Sequence, residues 1–393
     1  MMAFIHTMIK YCVILCLYPL RLLPIRWNRI MLISDLNGKY ACNPKYLTEY
    51  LIAHYLDRFE VVYALSNPEE YPELPKRGVK TIKMGGLKYY VYAMTSGVFV
   101  TNSGGISFIP FRKKQMVINT WHGGGSYKKI LLDYYPNTPS IVRSTRLSGK
   151  KTTMFTSSCR SVDQFYAGAM LIAPENFFPS GSPRNDIMFS GAGKQDEIKK
   201  KLGLAGKKLC LYAPTFRRTS RSVYATAAGD AYGIEAERVL EALSERFDGD
   251  WVFAFRYHPR TSERRAKFDD SVIDLSGYDD MQELLLAADV LVNDYSTSGW
   301  DFALLGKPCF LYATDIAEYE KMESFYVHVR EWPYPLGENM EELLHNIRTF
   351  DEASYRAAVA KHYEALGSYE TGRACELVCA EMAKHLENRG KKR

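Results

Sequence analysis

The chain lacks a long hydrophobic run. The apolar stretch near its start, Tyr11 to Leu20, holds ten residues, where a membrane-crossing helix needs about 20. None of its eight cysteines stands in a CxxC pair, and no histidine lies at zinc-finger spacing from any of them. That pattern argues against a disulfide framework or a zinc finger and favours a reducing cytoplasm. Cys210 and Cys309 fall in apolar runs, where a free thiol packs as a small hydrophobe. There is no G-x-x-x-x-G-K-[ST] and no G-x-S-x-G, which removes support for P-loop and nucleophile-elbow chemistry. No DxD triplet follows a strand-like run and no carboxylate cluster marks a metal, so the expectation is metal-independent chemistry with no cofactor. A basic stripe interleaved with aromatics is missing too, which argues against nucleic acid as a partner.

What is present is a globular composition, 47% apolar and 24% charged over 393 residues. That length favours two domains of about 150–200 residues each. The net charge of +6 suits an anionic partner, and equally a simple solubility role. The first 34 residues carry Lys10, Arg21, Arg26 and Arg29 without a single acid. No small-residue cleavage site follows the apolar run; Arg21, Pro24 and Arg26 follow instead. Residues 1–28 therefore read as an interfacial segment on an anionic membrane surface. The alternative is a helix packed on the domain or on a partner subunit.

From Trp27 onward short apolar runs alternate with helical patterns, which predicts parallel sheets covered on both faces. Residues 29–190 read as one Rossmann-like domain, 191–206 as a connection and 207–350 as a second Rossmann-like domain. Residues 351–393 read as C-terminal helices with a basic tail. The fold class is α/β, two facing Rossmann-like domains with a cleft between them, and ligands of such sheets bind beyond the carboxyl ends of the strands.

Three motifs follow predicted strands. In the first, Trp121-His122-Gly123, three glycines (Gly123, Gly124 and Gly125) lead to Lys128 and Lys129. Glycines permit close backbone approach to a ligand, and an imidazole at a strand end can take a proton at neutral pH. His122 is thus a candidate for catalysis or binding, or else a turn-shaping histidine bonded to backbone. In the second, Arg256, His258 and Arg260 crowd three cationic donors into Arg256-Tyr257-His258-Pro259-Arg260. A diphosphate would satisfy them, as would acids on a neighbouring helix. In the third, Asp294-Tyr295-Ser296 continues into Thr297 and Ser298 at an expected helix start, a phosphate cradle that lacks the lysine of a P-loop. Asp301 reads as structural. Thr215 and Arg217 after an earlier strand, Gly181 to Arg184, and Asn102 to Gly105 are lesser candidates.

These motifs, in this order, resemble the CDP-glycerol glycerophosphotransferase family of teichoic-acid and capsule polymer synthesis. The likeness runs from about Asp35 to Ile347. It includes Thr120-Trp121-His122-Gly123-Gly124 with Lys128-Lys129, Gly181 to Asp186, Tyr212 to Arg217, Arg256 to Pro259, Asn293 to Ser298, Asp301-Phe302-Ala303, Lys307-Pro308 and Tyr312. It implies a GT-B-like fold and transfer of a polyol phosphate, glycerol or ribitol phosphate, from a CDP-linked donor with release of CMP. The acceptor implied is a hydroxyl of a lipid-linked saccharide or growing polymer, at the cytoplasmic face of a bacterial membrane, with the enzyme peripheral to it. His122 would deprotonate the acceptor, and His258 would stabilise departing CMP. Arg217, Arg256, Thr215, Asp294, Ser296, Thr297 and Ser298 would hold the donor. Gly123, Gly124 and Lys128 would lie on the acceptor side. Gly124 to Tyr127 depart from the Thr-Pro-Leu-Lys type of sequence that the family shows there. A nucleotide-sugar glycosyltransferase and a non-catalytic polymer-binding subunit are the alternative functions, and an oligomer is compatible with the sequence.

Overall fold

The computed structural model describes residues 12–34, 38–215, 233–257 and 272–391. Seven strands form the first sheet: β1 (Arg26–Ile33), β2 (Glu60–Leu65), β3 (Lys80–Lys83), β4 (Ser96–Thr101), β5 (Met116–Asn119), β6 (Met154–Thr156) and β7 (Phe177–Phe178). Their order is β3-β2-β1-β4-β5-β6-β7, and every neighbouring pair is parallel. The unbroken run Ile30-Met31-Leu32-Ile33 shows why the strands read as continuous apolar stretches, since both faces of this sheet are buried. Ile30 and Leu32 pack with the cluster that includes Leu47, Leu51, Val378 and Met382. Met31 and Ile33 pack on the opposite cluster with Tyr89, Ala93 and Met94. Each such buried aliphatic side chain contributes about 1.5–3 kcal/mol of transfer free energy.

The second sheet contains β8 (Lys208–Tyr212), β9 (Trp251–Phe255), β10 (Ile273–Asp274), β11 (Val290–Asn293), β12 (Cys309–Tyr312) and β13 (Leu336–Gly337). Its order is β10-β9-β8-β11-β12-β13, again parallel throughout. Both sheets thus reverse direction of growth once, between β1 and β4 and between β8 and β11. Both have the doubly wound order of dinucleotide-type folds, whose ligands sit at that reversal. Cys210 and Cys309 are fully buried in this sheet.

The chain divides into two compact units whose boundaries differ from the linear division read from sequence. The first comprises Met1–His122, Ile130–Asp186 and Tyr369–Arg393, the second Gly123–Lys129 and Ile187–Ser368. Two interactions account for the return of the C-terminus to the first unit. The carboxylate of Asp186 accepts from the backbone N–H of Ala374 at 3.0 Å and of Cys375 at 2.7 Å, capping the helix Ala374–Gly390. Val378, Cys379 and Met382 on that helix then bury against the first sheet. The helix Glu352–Leu366, ended by Gly367 at φ +66°, remains with the second unit. The segment expected as a connection carries the helix Gln195–Lys201, fastened in the second unit by Lys199 Nζ to Asp289 at 2.6 Å.

Ahead of β1, residues 12–17 are helical and Tyr18–Leu22 form a 3-10 turn. Leu17 is buried, and Arg112 donates to the carbonyls of Arg21 and Leu23 at 2.9 and 2.6 Å. The segment is therefore fastened to the first unit, while Leu15, Tyr18 and Leu22 stand exposed. Among the described residues no helix is long and apolar enough to cross a membrane.

Candidate active site

His122 follows β5, and its position is over-determined by backbone contacts. Its Nδ1 lies 2.8 Å from the carbonyl oxygen of Asn102, the residue after β4. A carbonyl can only accept, so Nδ1 carries the proton, and in neutral imidazole Nε2 holds the lone pair. That is the tautomer a general base requires. The backbone around it is equally constrained. Trp121 adopts φ +49°, a costly conformation for an aromatic residue. Its N–H donates to Asn119 Oδ1 at 2.9 Å, and its indole stacks on the His122 ring with centroids 4.4 Å apart.

Buried Asn43, near the start of the helix Cys42–His54, donates to the carbonyls of Thr120 and Trp121 at 3.0 and 2.9 Å. Asn43 Oδ1 accepts from Arg184 N at 2.9 Å, and Arg184 Nη1 donates to the His122 carbonyl at 2.5 Å. The sequence reading missed Asn43, whose Asn-Pro dipeptide signals only a helix start. Arg184, expected at a seam between domains, is buried behind His122. Gly181, at φ +80°, lies where a Cβ would meet the Glu370 carboxylate at 2.9 Å. Glu370 also accepts from Ser182 N and Asn185 Nδ2.

In the second unit the loops after β8 and β11 are tied by Asp294. Its carboxylate accepts from Thr215 N at 2.9 and 3.0 Å, from Thr215 Oγ1 at 3.0 Å and from Tyr295 N at 2.5 Å. Expected as a donor ligand, Asp294 is buried with its oxygens committed to the loop, as is the Thr215 hydroxyl. What the loop offers outward are Ser296 and Thr297, which are only half-buried. Ser298 donates to Ser296 Oγ from both N and Oγ, at 3.2 and 3.1 Å, which orients that hydroxyl. The helix beyond, Ser298–Ala303, is only six residues, so the hydroxyls matter more here than a helix dipole. Asp301 is buried and accepts from Gln282 Nε2 at 2.8 Å, a structural placement.

The glycine run has a reason the sequence did not disclose. A Cβ on Gly124 would lie 2.5 Å from Trp300 Cδ1, and on Gly125 2.7 Å from Trp300 Cε3, with Gly125 also at φ +71°. On Gly123 it would stand 3.2 Å from Thr297 Oγ1. The run fits around the fully buried Trp300 indole and lies along the Ser296–Ser298 loop. Tyr127 anchors it, stacked on Trp332 at 4.1 Å with its hydroxyl 3.0 Å from His362 Nε2. Burial of His362 pulls its pKa down to about 4. Lys128, expected on the acceptor side, pairs as an antiparallel bridge with Phe325, and its Nζ donates to Tyr319 Oη at 3.2 Å.

Arg256 follows β9 and turns its guanidinium to the Tyr278 carbonyl at 3.1 Å and Met281 Sδ at 3.3 Å. Burial lowers its pKa, and Asp280 and Asp279 oppose that shift without overcoming it. Tyr257 is buried, its N–H on Ser276 Oγ at 3.0 Å. His258, Pro259, Arg260 and Arg217 lie outside the described residues. Among the described residues no group of three His, Cys, Asp or Glu side chains is arranged to hold a metal ion.

Comparison with known proteins places the whole chain among relatives. The chain is 26% identical over 372 residues to the teichoic acid glycerol-phosphate transferase of Staphylococcus aureus, covering 91% of this chain and 93% of that one. It is 25% identical over 366 residues to the teichoic acid poly(glycerol phosphate) polymerase of Staphylococcus epidermidis, covering 89% of this chain. It spans about half the length, 50%, of that polymerase. Among solved structures, a variant of the wall teichoic acid polymerase TagF soaked with CDPG superposes with a TM-score of 0.79 at 25% identity, covering 93% of this chain and 90% of that one. Residues 17–384 match the CDP-Glycerol:Poly(glycerophosphate) glycerophosphotransferase profile, and the chain belongs to that family.

Proposed function

We propose that the chain transfers a polyol phosphate from a CDP-linked donor to a hydroxyl of a lipid-linked saccharide or growing cell-surface polymer. The acceptor oxygen attacks the donor's β-phosphorus. A new P–O bond forms to the acceptor as the bond to the bridging oxygen breaks, and CMP leaves with that oxygen. His122 Nε2 takes the acceptor proton, and Ser296 and Thr297 hold donor phosphate oxygens. Family resemblance gives His258 the leaving CMP, with Arg217 beside the donor phosphates. The observation that carries this reading is the His122 Nδ1 contact with the Asn102 carbonyl, which leaves the basic lone pair on the opposite nitrogen. The test is CMP release by the purified chain from CDP-glycerol and from CDP-ribitol with a competent acceptor present. CMP from one donor identifies the polyol, and none from either overturns the proposal.

Exposed Leu15, Tyr18 and Leu22 beside Arg21 support peripheral contact with the cytoplasmic leaflet. Sedimentation with vesicles should depend on their content of phosphatidylglycerol. Equal recovery with neutral vesicles, or none with either, counts against the membrane contact.

A further inference from the structure

The Ser296–Ser298 loop offers hydroxyls to a phosphate, and a diphosphate also needs a cation. We propose that Lys128 supplies it, as a donor-phosphate ligand of the second unit; this rests on the reading that the donor is a CDP-linked diphosphate.

Lys128 is built into the second unit by its own backbone. It bridges Phe325, Lys129 N donates to the Ser324 carbonyl at 2.8 Å, and Tyr326 N donates to the Tyr127 carbonyl at 2.9 Å. From that platform Nζ reaches Tyr319 Oη at 3.2 Å. The Tyr319 ring stacks on Tyr295, centroids 3.8 Å apart and planes 19° from parallel. Tyr295 immediately precedes Ser296, and its N–H is on Asp294. Consecutive contacts thus run from the ammonium through Tyr319 and Tyr295 to the Ser296–Ser298 loop.

The ammonium is held charged without a direct ion pair. Among the described residues Lys128 forms no ion pair, and its hydrogen-bond partner is a neutral hydroxyl. The acids that act on it are Glu323 and Asp294, and the Asp294 oxygens are already committed to Thr215 and Tyr295. Burial works to lower the Lys128 pKa, but Tyr319, Glu323 and Asp294 carry it upward, so the ammonium stays charged at neutral pH. Lysine binds phosphate as a compact point charge, and here it would complement hydroxyls that carry none. The part a P-loop lysine plays would fall to a residue more than 160 positions earlier than the loop it serves.

Calorimetric titration of the full chain with CDP-glycerol, CDP and CMP, alongside acceptor KM, tests the assignment. Lys128→Ala should weaken CDP-glycerol and CDP by about 10–100-fold, weaken CMP less, and leave acceptor KM nearly unchanged. Lys128→Arg should recover part of the loss. A folded Lys128→Ala that binds CDP-glycerol as the wild type does, or that raises acceptor KM alone, overturns the proposal. Should the alanine variant misfold, Lys128→Met keeps the apolar stem and is read by the same criteria. If the wild type binds CDP-glycerol and the variants bind it equally, the Lys128 assignment alone falls. If the wild type binds none, the donor reading falls and takes this assignment with it.

Discussion

The two sheets reverse their strand order in the same way, yet the loops at the two reversals are tied by different chemistry. After β1 and β4 the tie is neutral, Asn102 Nδ2 donating to Ser34 Oγ at 3.2 Å. After β8 and β11 it is a buried carboxylate, Asp294, accepting from Thr215 and Tyr295. Where the tie is neutral, the Asn102 carbonyl remains to orient a half-buried imidazole. Where the tie is charged, the acid is consumed by the scaffold and the half-buried groups of the loop are Ser296 and Thr297. A charged residue inside a motif is therefore as readily a fastener as a ligand.

The sharpest way to break this contrast is at His122. His122→Ala should lower CMP release by about 10²–10⁴-fold with little change in thermal midpoint, and retained activity would remove the catalytic half of the comparison. Asp294→Ala should act on the fold first. It leaves buried donors unmatched and should cost about 1–3 kcal/mol in denaturant unfolding, with donor affinity falling as the loop loosens. A stable variant that loses only donor binding would make Asp294 a ligand after all. Gly124→Ala, pressing on Trp300, should cost about 1–3 kcal/mol by overpacking. Gly123→Ala should cost less, because the Thr297 hydroxyl at 3.2 Å need give by only a few tenths of an ångström.

A conditional effect, absent at neutral pH, is a pH dependence at the Tyr127 anchor. Burial holds the folded His362 pKa near 4, below its unfolded value of about 6.5. The unfolded chain therefore binds a proton first as pH falls. Stability should be full above about pH 6.5 and decline through that window toward pH 4, by on the order of 1–3 kcal/mol. Unfolding midpoints of wild type and His362→Gln at pH 7 and pH 5 measure it, and an equal decline in both would exclude His362.

Much of the architecture was legible because parallel strands buried on two faces leave unbroken apolar runs such as Ile30 to Ile33. The strand-end positions of His122, Thr215 and Asp294 followed from the same pattern. β7 and β13 span two residues each, too short to carry a period. Asn43, Arg184 and Glu370 act through contacts spanning 62 to 188 positions, where no local signal exists. The glycines were visible but their cause was not, since the indole they accommodate lies on a distant helix. Fold reads from local periodicity, whereas the job of a polar side chain depends on which distant atoms reach it.

One consequence of the interlaced chain concerns how the protein is assembled. A fragment beginning at Ile187 would lack Tyr127, the ring that stacks on Trp332 and meets His362. A fragment ending at Asp186 would lack the helix that covers Leu47 and Leu51. Each half would expose apolar surface that its missing piece should bury. Neither unit can be completed from a contiguous half of the chain, and the seven-residue strap must wait for the rest of the second unit, which is synthesised long after it. Such long-range closure slows folding and ties the integrity of the Ser296–Ser298 loop to residues encoded beside His122.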